Sequence, residues 1–360
     1  MQQQLHLKGL NGLRGIAATS VVLSHLRSAL PEFSFVKGAF DMASYGVTIF
    51  FTLSGFLITY LLFMEKQQQE ISIRNFYIRR ILRIWPLYFT YLALAVITIY
   101  IYTPEKLPGT LPYYLLFAAN IPSIFNNHLP HLAQYWTLGV EEQFYIFWPW
   151  LMKKTNNALK ALIVFTACFL LLKLFFRFVY FKWDNIIPLR ILVVNRFECM
   201  SIGGIAAILC IQKHRLFLNI THNKIIQLIC WLSLPVMAFN YFHVTPFLDN
   251  DLVALITVVL IVNLSFNSDT LVNLENRYFD FLGKISYGMY IMHPLIIFYY
   301  ASFLNMIEVT GTVKIVLVFC GVLFLTVFFA WLSYEFLEKR FLKLKEKFAV
   351  VKATDSKYFN

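Results

Sequence analysis

Two polar residues interrupt the first apolar run of the chain, LNGLRGIAATSVVLSHL (10–26): Arg14 near its start and His25 deep inside it. Eleven positions make three helical turns to within about 20°, so in a helix the two share one face, about 16 Å apart along the axis. An imidazole changes charge near neutral pH and is the usual base for a hydroxyl nucleophile, whereas a guanidinium is a permanent cation. A charge at mid-membrane costs roughly 2.5–3.5 kcal/mol even on insertion scales, so a membrane segment that keeps one is a candidate functional segment. The ordinary alternative is a histidine hydrogen-bonded in the interior of a helix bundle.

Three further stretches have the same character. In NFYIRRILRIWPLYF (75–89), Arg80 and Arg83, and equally Arg79 and Arg83, fall on one helical face by i,i+3 and i,i+4 spacing. Guanidinium forks suit phosphate oxygens; plain juxtamembrane anchoring is the competing account, and Pro86 in the next turn favours a shaped helix. In YWTLGVEEQFYIFWPW (135–150), Glu141 and Glu142 sit among three tryptophans. Adjacent helical positions diverge by about 100°, so one carboxylate is expected to pair with an arginine or histidine while the other caps or faces water. An interfacial aromatic belt carrying acids is the alternative. In KISYGMYIMHPLIIF (284–298), His293 precedes Pro294, a step that bends a helix and frees a carbonyl. A satisfied core histidine fits there as well as a catalytic one.

The elements that must position these groups follow from composition. The 360 residues are 59% hydrophobic and 14% charged, against about 25% charged in soluble domains. Ten apolar runs reach toward the roughly 20 residues a span needs: 11–30, 43–64, 80–102, 134–152, 158–181, 197–212, 225–242, 249–266, 284–304 and 312–336. The segment 107–132, broken by four prolines, reads as a short helix on the surface or dipping in. The expected fold is an all-α polytopic bundle of about ten transmembrane helices. The first run lacks a small-x-small cleavage site and reads as a retained span.

Lys and Arg concentrate in alternate loops and in the tail: Lys66 and Arg74, then Lys153, Lys154 and Lys160, then Lys213, Arg215 and Lys224, then Lys339 to Lys347. The loop at 177–196 is an exception, with Arg177, Lys182, Arg190 and Arg196. By the positive-inside rule both termini are cytoplasmic, the parity that ten spans require. The net charge of +12 is spread over these loops rather than gathered in one patch, which excludes a nucleic-acid surface. The five cysteines, without CxxC spacing, read as small buried hydrophobes. HLPH (128–131), in a proline-broken loop, is a poor metal signal, and no metal site is expected.

Taken together these stretches resemble the acyltransferase-3 family of integral membrane acyltransferases, over nearly the whole chain. The carriers are Arg14-x10-His25, GVTIFFTLSGFLIT (46–59), Arg80-x-x-Arg83, YWTLGVEEQFY (135–145), SYGMYIMHP (286–294) and YEFLEKRF (334–341), in the family's order. Asn11 stands where an aspartate is common, Thr137 replaces a serine, Thr48 an aspartate, and Lys339–Arg340 occupy a position where proline is frequent. The resemblance implies a transmembrane acyltransferase domain over 1–341 with a short cytoplasmic tail over 342–360, in the inner membrane of a bacterium. It implies transfer of an acyl group, usually acetyl, from acyl-CoA (acetyl-CoA) as co-substrate, with no permanently bound cofactor. The implied acceptor is a hydroxyl of a carbohydrate or lipid-linked sugar, as in polysaccharide and lipopolysaccharide O-acetylases. Membrane lipids are the other implied partners. By the resemblance His25 is the main catalytic group and Arg14 its partner. Arg80 and Arg83, with Arg79, hold the CoA phosphates; Glu141 and Glu142 support the site and His293 lines it. Direct deprotonation of the hydroxyl and prior transfer of the acyl group to the imidazole both fit. The competing reading is a transporter or flippase for an envelope sugar or lipid precursor, in which the same charges line a permeation path; no inverted repeat accompanies it.

Overall fold

Backbone amides inside hydrocarbon have no water to bond, so long uncharged runs must close their hydrogen bonds within a helix. The computed structural model describes residues 4–5, 7–29, 42–107, 109–245, 247–309, 311–350 and 352–353. The helices are α1 (Leu10–Ala29), α2 (Ala43–Gln68), α3 (Ile73–Tyr102), α4 (Leu111–Leu115), α5 (Asn120–Ile124), α6 (Tyr135–Lys154), α7 (Ala158–Trp183), α8 (Ile187–Asn195) and α9 (Phe197–Ile211). They continue as α10 (Arg215–His222), α11 (Lys224–Ala238), α12 (Asp249–Phe266), α13 (Arg277–Met306), α14 (Gly311–Ser333) and α15 (Lys339–Glu346). Side-chain caps start several of them: Asn223 accepts from the amides of Ile225 and Ile226, and Asn276 from those of Tyr278 and Phe279.

Among the described residues seven helical stretches are long and apolar enough to cross a membrane: α2, α3, α7, α8 with α9, α12, α13, and α14 running into α15. The chain is therefore an all-α, polytopic membrane bundle. Each of the other three expected spans also coincides with a helix. Of these, α1 and α6 carry the polar residues singled out above, and α11 has only 15 residues. Residues 107–132 hold two helices of five residues each, α4 and α5, in keeping with the proline-broken reading. Gln4–Leu5 pair in parallel with Lys352–Ala353, which puts both ends of the described chain on one face of the bundle, here the terminal face.

Close helix crossings set the architecture. α2 packs most extensively on α9 and α1 on α13. At the first crossing a methyl group on Gly55 would lie 1.9 Å from the Met200 carbonyl oxygen, and one on Gly203 would lie 2.1 Å from that of Thr52. At the second, a methyl on Gly283 would lie 2.4 Å from the backbone of Asn11. Only glycine permits backbones to approach so far. Asn11, in place of an acid, donates its amide to Asp280 at 3.0 Å and adds a polar link between α1 and α13.

α7 presents Leu171, Leu172, Phe175 and Phe178 to its surroundings, as a lipid-facing helix does. Its one buried charge, Lys173, is bonded to Glu198 on α9 and reaches Asp251 on α12 at 2.9 Å. Donor atoms of Glu198, Cys199 and Asp251 lie within 4.8 Å of one another, but the lysine ammonium sits against both carboxylates there.

The loop that broke the charge pattern now has a physical account. Arg196 is buried, adopts a left-handed conformation (φ 45°) between α8 and α9, and donates to Ser44, Thr48 and Asn250. Arg190 donates to the Ile124 carbonyl. These arginines serve internal contacts, so they do not report on loop orientation. One expectation needs correction. Cys199, Cys210 and Cys230 are buried, but Cys168 and Cys320 face outward from α7 and α14, where a lipid-facing thiol costs no more than a buried one.

Candidate active site

Arginine residues at the terminal-face ends of α1 and α3 need counter-charges or anions, and the bundle gathers them around one space. A cavity of about 140 Å³ is lined by Arg14 from α1, Ser54 from α2, Arg80 and Arg83 from α3, and Glu141 and Tyr145 from α6, among others. Ser286, Tyr287 and Tyr290 from α13 and Lys345 from α15 complete its polar wall. A smaller cavity of about 40 Å³ shares Arg14, Arg83, Ser286 and Tyr287 with it, so the two adjoin, and the smaller adds Glu338.

Charge is the deciding feature. The larger cavity carries four cationic side chains against one carboxylate, Glu141. Glu141 accepts a hydrogen bond from Ser54 at 2.8 Å and lies within electrostatic reach of Arg14 and Arg83. Arg83 also faces Glu338, which Ser333 holds at 3.1 Å. The Arg80 guanidinium lies over the rings of Phe76 and Tyr145, 5.8 and 5.7 Å from their centroids. Its Nε is buried without a hydrogen-bond partner. A buried donor left unbonded costs about 1–3 kcal/mol, so the arrangement favours an anionic ligand that would satisfy it.

The two histidines meet elsewhere. Their ring centroids are 4.9 Å apart, because α1 and α13 run side by side from the Asn11–Gly283 contact. His25 Nδ1 lies 2.9 Å from the Val21 carbonyl and His293 Nδ1 lies 3.3 Å from that of Met289. A carbonyl only accepts, so each Nδ1 is the donor and each Nε2 keeps a free lone pair. His293 Nε2 is buried with no partner. The pair lines neither cavity; the step between is Tyr290, which lines the larger cavity and whose ring contacts that of His293. Tyr290 is held by Thr137, with hydroxyl oxygens 2.8 Å apart, and by an edge contact with Phe50. One helical turn of α13 separates Tyr290 from His293, about 4.5 Å along the axis.

Of the residues singled out by sequence, Arg14, Arg80, Arg83 and Glu141 line one cavity, and His25 and His293 pair one turn beyond it. Glu142 does not line that cavity. Its Oε1 is buried without a hydrogen-bond partner, in reach of the Arg80 charge. Arg79 does not line the cavity either. It pairs with Glu65 at 3.1 Å and donates to the Phe348 carbonyl at 2.7 Å, because on α3 it lies about 100° from Arg80. Ser54, Tyr145, Glu338 and Lys345 were missed. Ser54, Tyr145 and Glu338 stand within the stretches quoted above, so their place in a motif was the only available signal; Lys345 lay among a run of tail lysines that all look alike.

An acyltransferase domain family matches residues 7–335. The peptidoglycan O-acetyltransferase OatA of Listeria monocytogenes is 28% identical over 327 residues, covering 81% of this chain and 49% of that protein. A Staphylococcus aureus protein named "Putative O-acetyltransferase SACOL0978" is 24% identical over 378 residues, 94% of this chain and 58% of that one. The chain thus spans about half the length of the curated relatives it matches. No solved structure matches it significantly.

Proposed function

The chain belongs to the acyltransferase domain family, and from that premise we propose that it moves an acetyl group from acyl-CoA to a hydroxyl of a cell-wall glycan. The observation that carries this reading is the cavity with four cations against one carboxylate, ending one helical turn from a pair of imidazoles. Acyl-CoA is a polyanion at one end and a thioester on a thin arm at the other. In the proposal the terminal face is cytoplasmic, Arg80 and Arg83 hold phosphate oxygens, and Arg14 lies further in along the arm. Glu141 keeps Arg14 and Arg83 oriented. The acceptor class is taken from the name of the Listeria relative. The protein is placed in the cytoplasmic membrane of a bacterium.

Transfer requires a C–O bond to form as the thioester C–S bond breaks. His25 Nε2 is the base: it takes the proton of the attacking hydroxyl, and that proton leaves with the CoA thiolate. His25 lies about 16 Å from Arg14 along α1, so the two do not touch; they act on opposite ends of one donor. Tyr290 and Phe50 stand between cavity and imidazoles, and their side chains must turn aside for the thioester to arrive.

The test supplies labelled acetyl-CoA to membranes that contain the protein and follows label into the glycan fraction. Arg83→Ala is expected to lose one charge-assisted contact, ~1.5–3 kcal/mol, which is about ten- to hundredfold in kcat/KM. Movement of a sugar precursor across the membrane without label would replace the proposal by the transporter reading.

A further inference from the structure

Among the cationic side chains of the cavity, Lys345 belongs to no segment with an assigned role. It sits on α15, which follows α14 through a π-helical turn at Tyr334–Glu338. Such a turn adds a residue to the helical repeat and rotates all that follows, a device common at functional sites. From its last residue onward, Glu338, Leu342 and Lys345 recur at i, i+4 and i+7, one face of a helix. Glu338 and Leu342 line the smaller cavity and Lys345 the larger. The other basic residues of this stretch, Lys339, Arg340, Lys343 and Lys347, are exposed, whereas Lys345 is half-buried. α15 packs against α3, which carries Arg80 and Arg83, and Arg79 ties down the backbone just beyond it through the Phe348 carbonyl.

We propose that α15 is a wall of the donor site and that Lys345 is a third cation, with Arg80 and Arg83, for the phosphates of the acyl donor. The inference rests on the acyl-CoA reading above and adds to it a specificity residue for the nucleotide end. A lysine is a point charge on a flexible stem, suited to a phosphate whose position varies, where the arginine forks suit fixed ones. The donor thereby touches the segment that follows the last long helix, and its nucleotide end, not its thioester, is what Lys345 senses.

The experiment measures steady-state transfer by the full chain in neutral detergent micelles, with acetyl-CoA and with a short acetyl thioester that lacks the nucleotide. Lys345→Ala is expected to raise KM for acetyl-CoA about five- to tenfold with kcat within about twofold, and to leave the short thioester unaffected. Lys345→Arg should restore KM. Lys343→Ala, which removes the same charge from the exposed face, should match wild type. Equal KM for acetyl-CoA in Lys345→Ala and wild type overturns the inference alone. So does an equal rise in Lys343→Ala, which would mean general attraction rather than a site. An effect that appears only when anionic lipid is added also overturns it, because the lysine would then serve the bilayer surface. Should Lys345→Ala not fold, Lys345→Gln, which keeps the stem, carries the same expectation. If wild-type protein transfers from the short thioester but never from acetyl-CoA, the donor reading fails and takes this inference with it.

Discussion

Both imidazoles of the paired histidines spend Nδ1 on a carbonyl one turn back in their own helix, which leaves two Nε2 lone pairs, that of His293 buried. A base held in one tautomer by its own backbone needs no third residue to orient it. His25→Ala is accordingly expected to cut acetyl transfer by about 10²–10⁴-fold while the protein still inserts. His293→Ala, which removes the neighbour, should leave a larger remainder. Wild-type transfer by the His25 variant would take the imidazole out of the reaction. At this scale the Arg14–His25 face could be read from spacing alone, because eleven residues fix an angle. That His25 would meet His293 could not, since their contact depends on how two distant segments cross. Likewise adjacency said that Glu141 and Glu142 diverge, and only packing decided that Glu141 lines the cavity and Glu142 does not.

Helices follow directly from apolar length, and those boundaries agree with the structure to within a few residues for most spans. The breaks within them do not follow. Nothing in VVNRFE marks Arg196 as the left-handed joint between α8 and α9; no glycine or proline stands there, and the joint is held by what Arg196 bonds to on α2 and α12. The π-helical turn before α15 is equally silent in sequence, although the lack of proline at Lys339–Arg340 is what lets the helix continue. Glycine carries the element-scale prediction. Gly55→Leu would drive a side chain into the Met200 carbonyl and force α2 from α9. Overpacking of this kind costs about 1–3 kcal/mol or more, so a lowered unfolding temperature and reduced yield of folded protein are expected in detergent. An unchanged unfolding temperature would mean that the two helices separate freely.

For the whole molecule, pairing of Gln4–Leu5 with Lys352–Ala353 places both ends on one face, the parity that charge counting demands. With that face cytoplasmic, a cysteine at Lys213 should resist a membrane-impermeant thiol reagent in intact cells, and one at Glu308 should react. The reverse pattern would invert the bundle and put the donor cavity on the wrong side for acyl-CoA. That both ends share a face was legible because lysines cost too much to carry across a bilayer; the arginines at 190 and 196 blurred the pattern because they are bonded inside. The ion cluster of α7 bears on how the molecule comes into being. Lys173 is made 25 residues before Glu198 and 78 before Asp251. On leaving the ribosome, α7 therefore enters lipid with a naked ammonium and neither of its partners. Its final seat becomes available only when α9 and then α12 arrive, so this part of the bundle can lock only after α12 has been threaded.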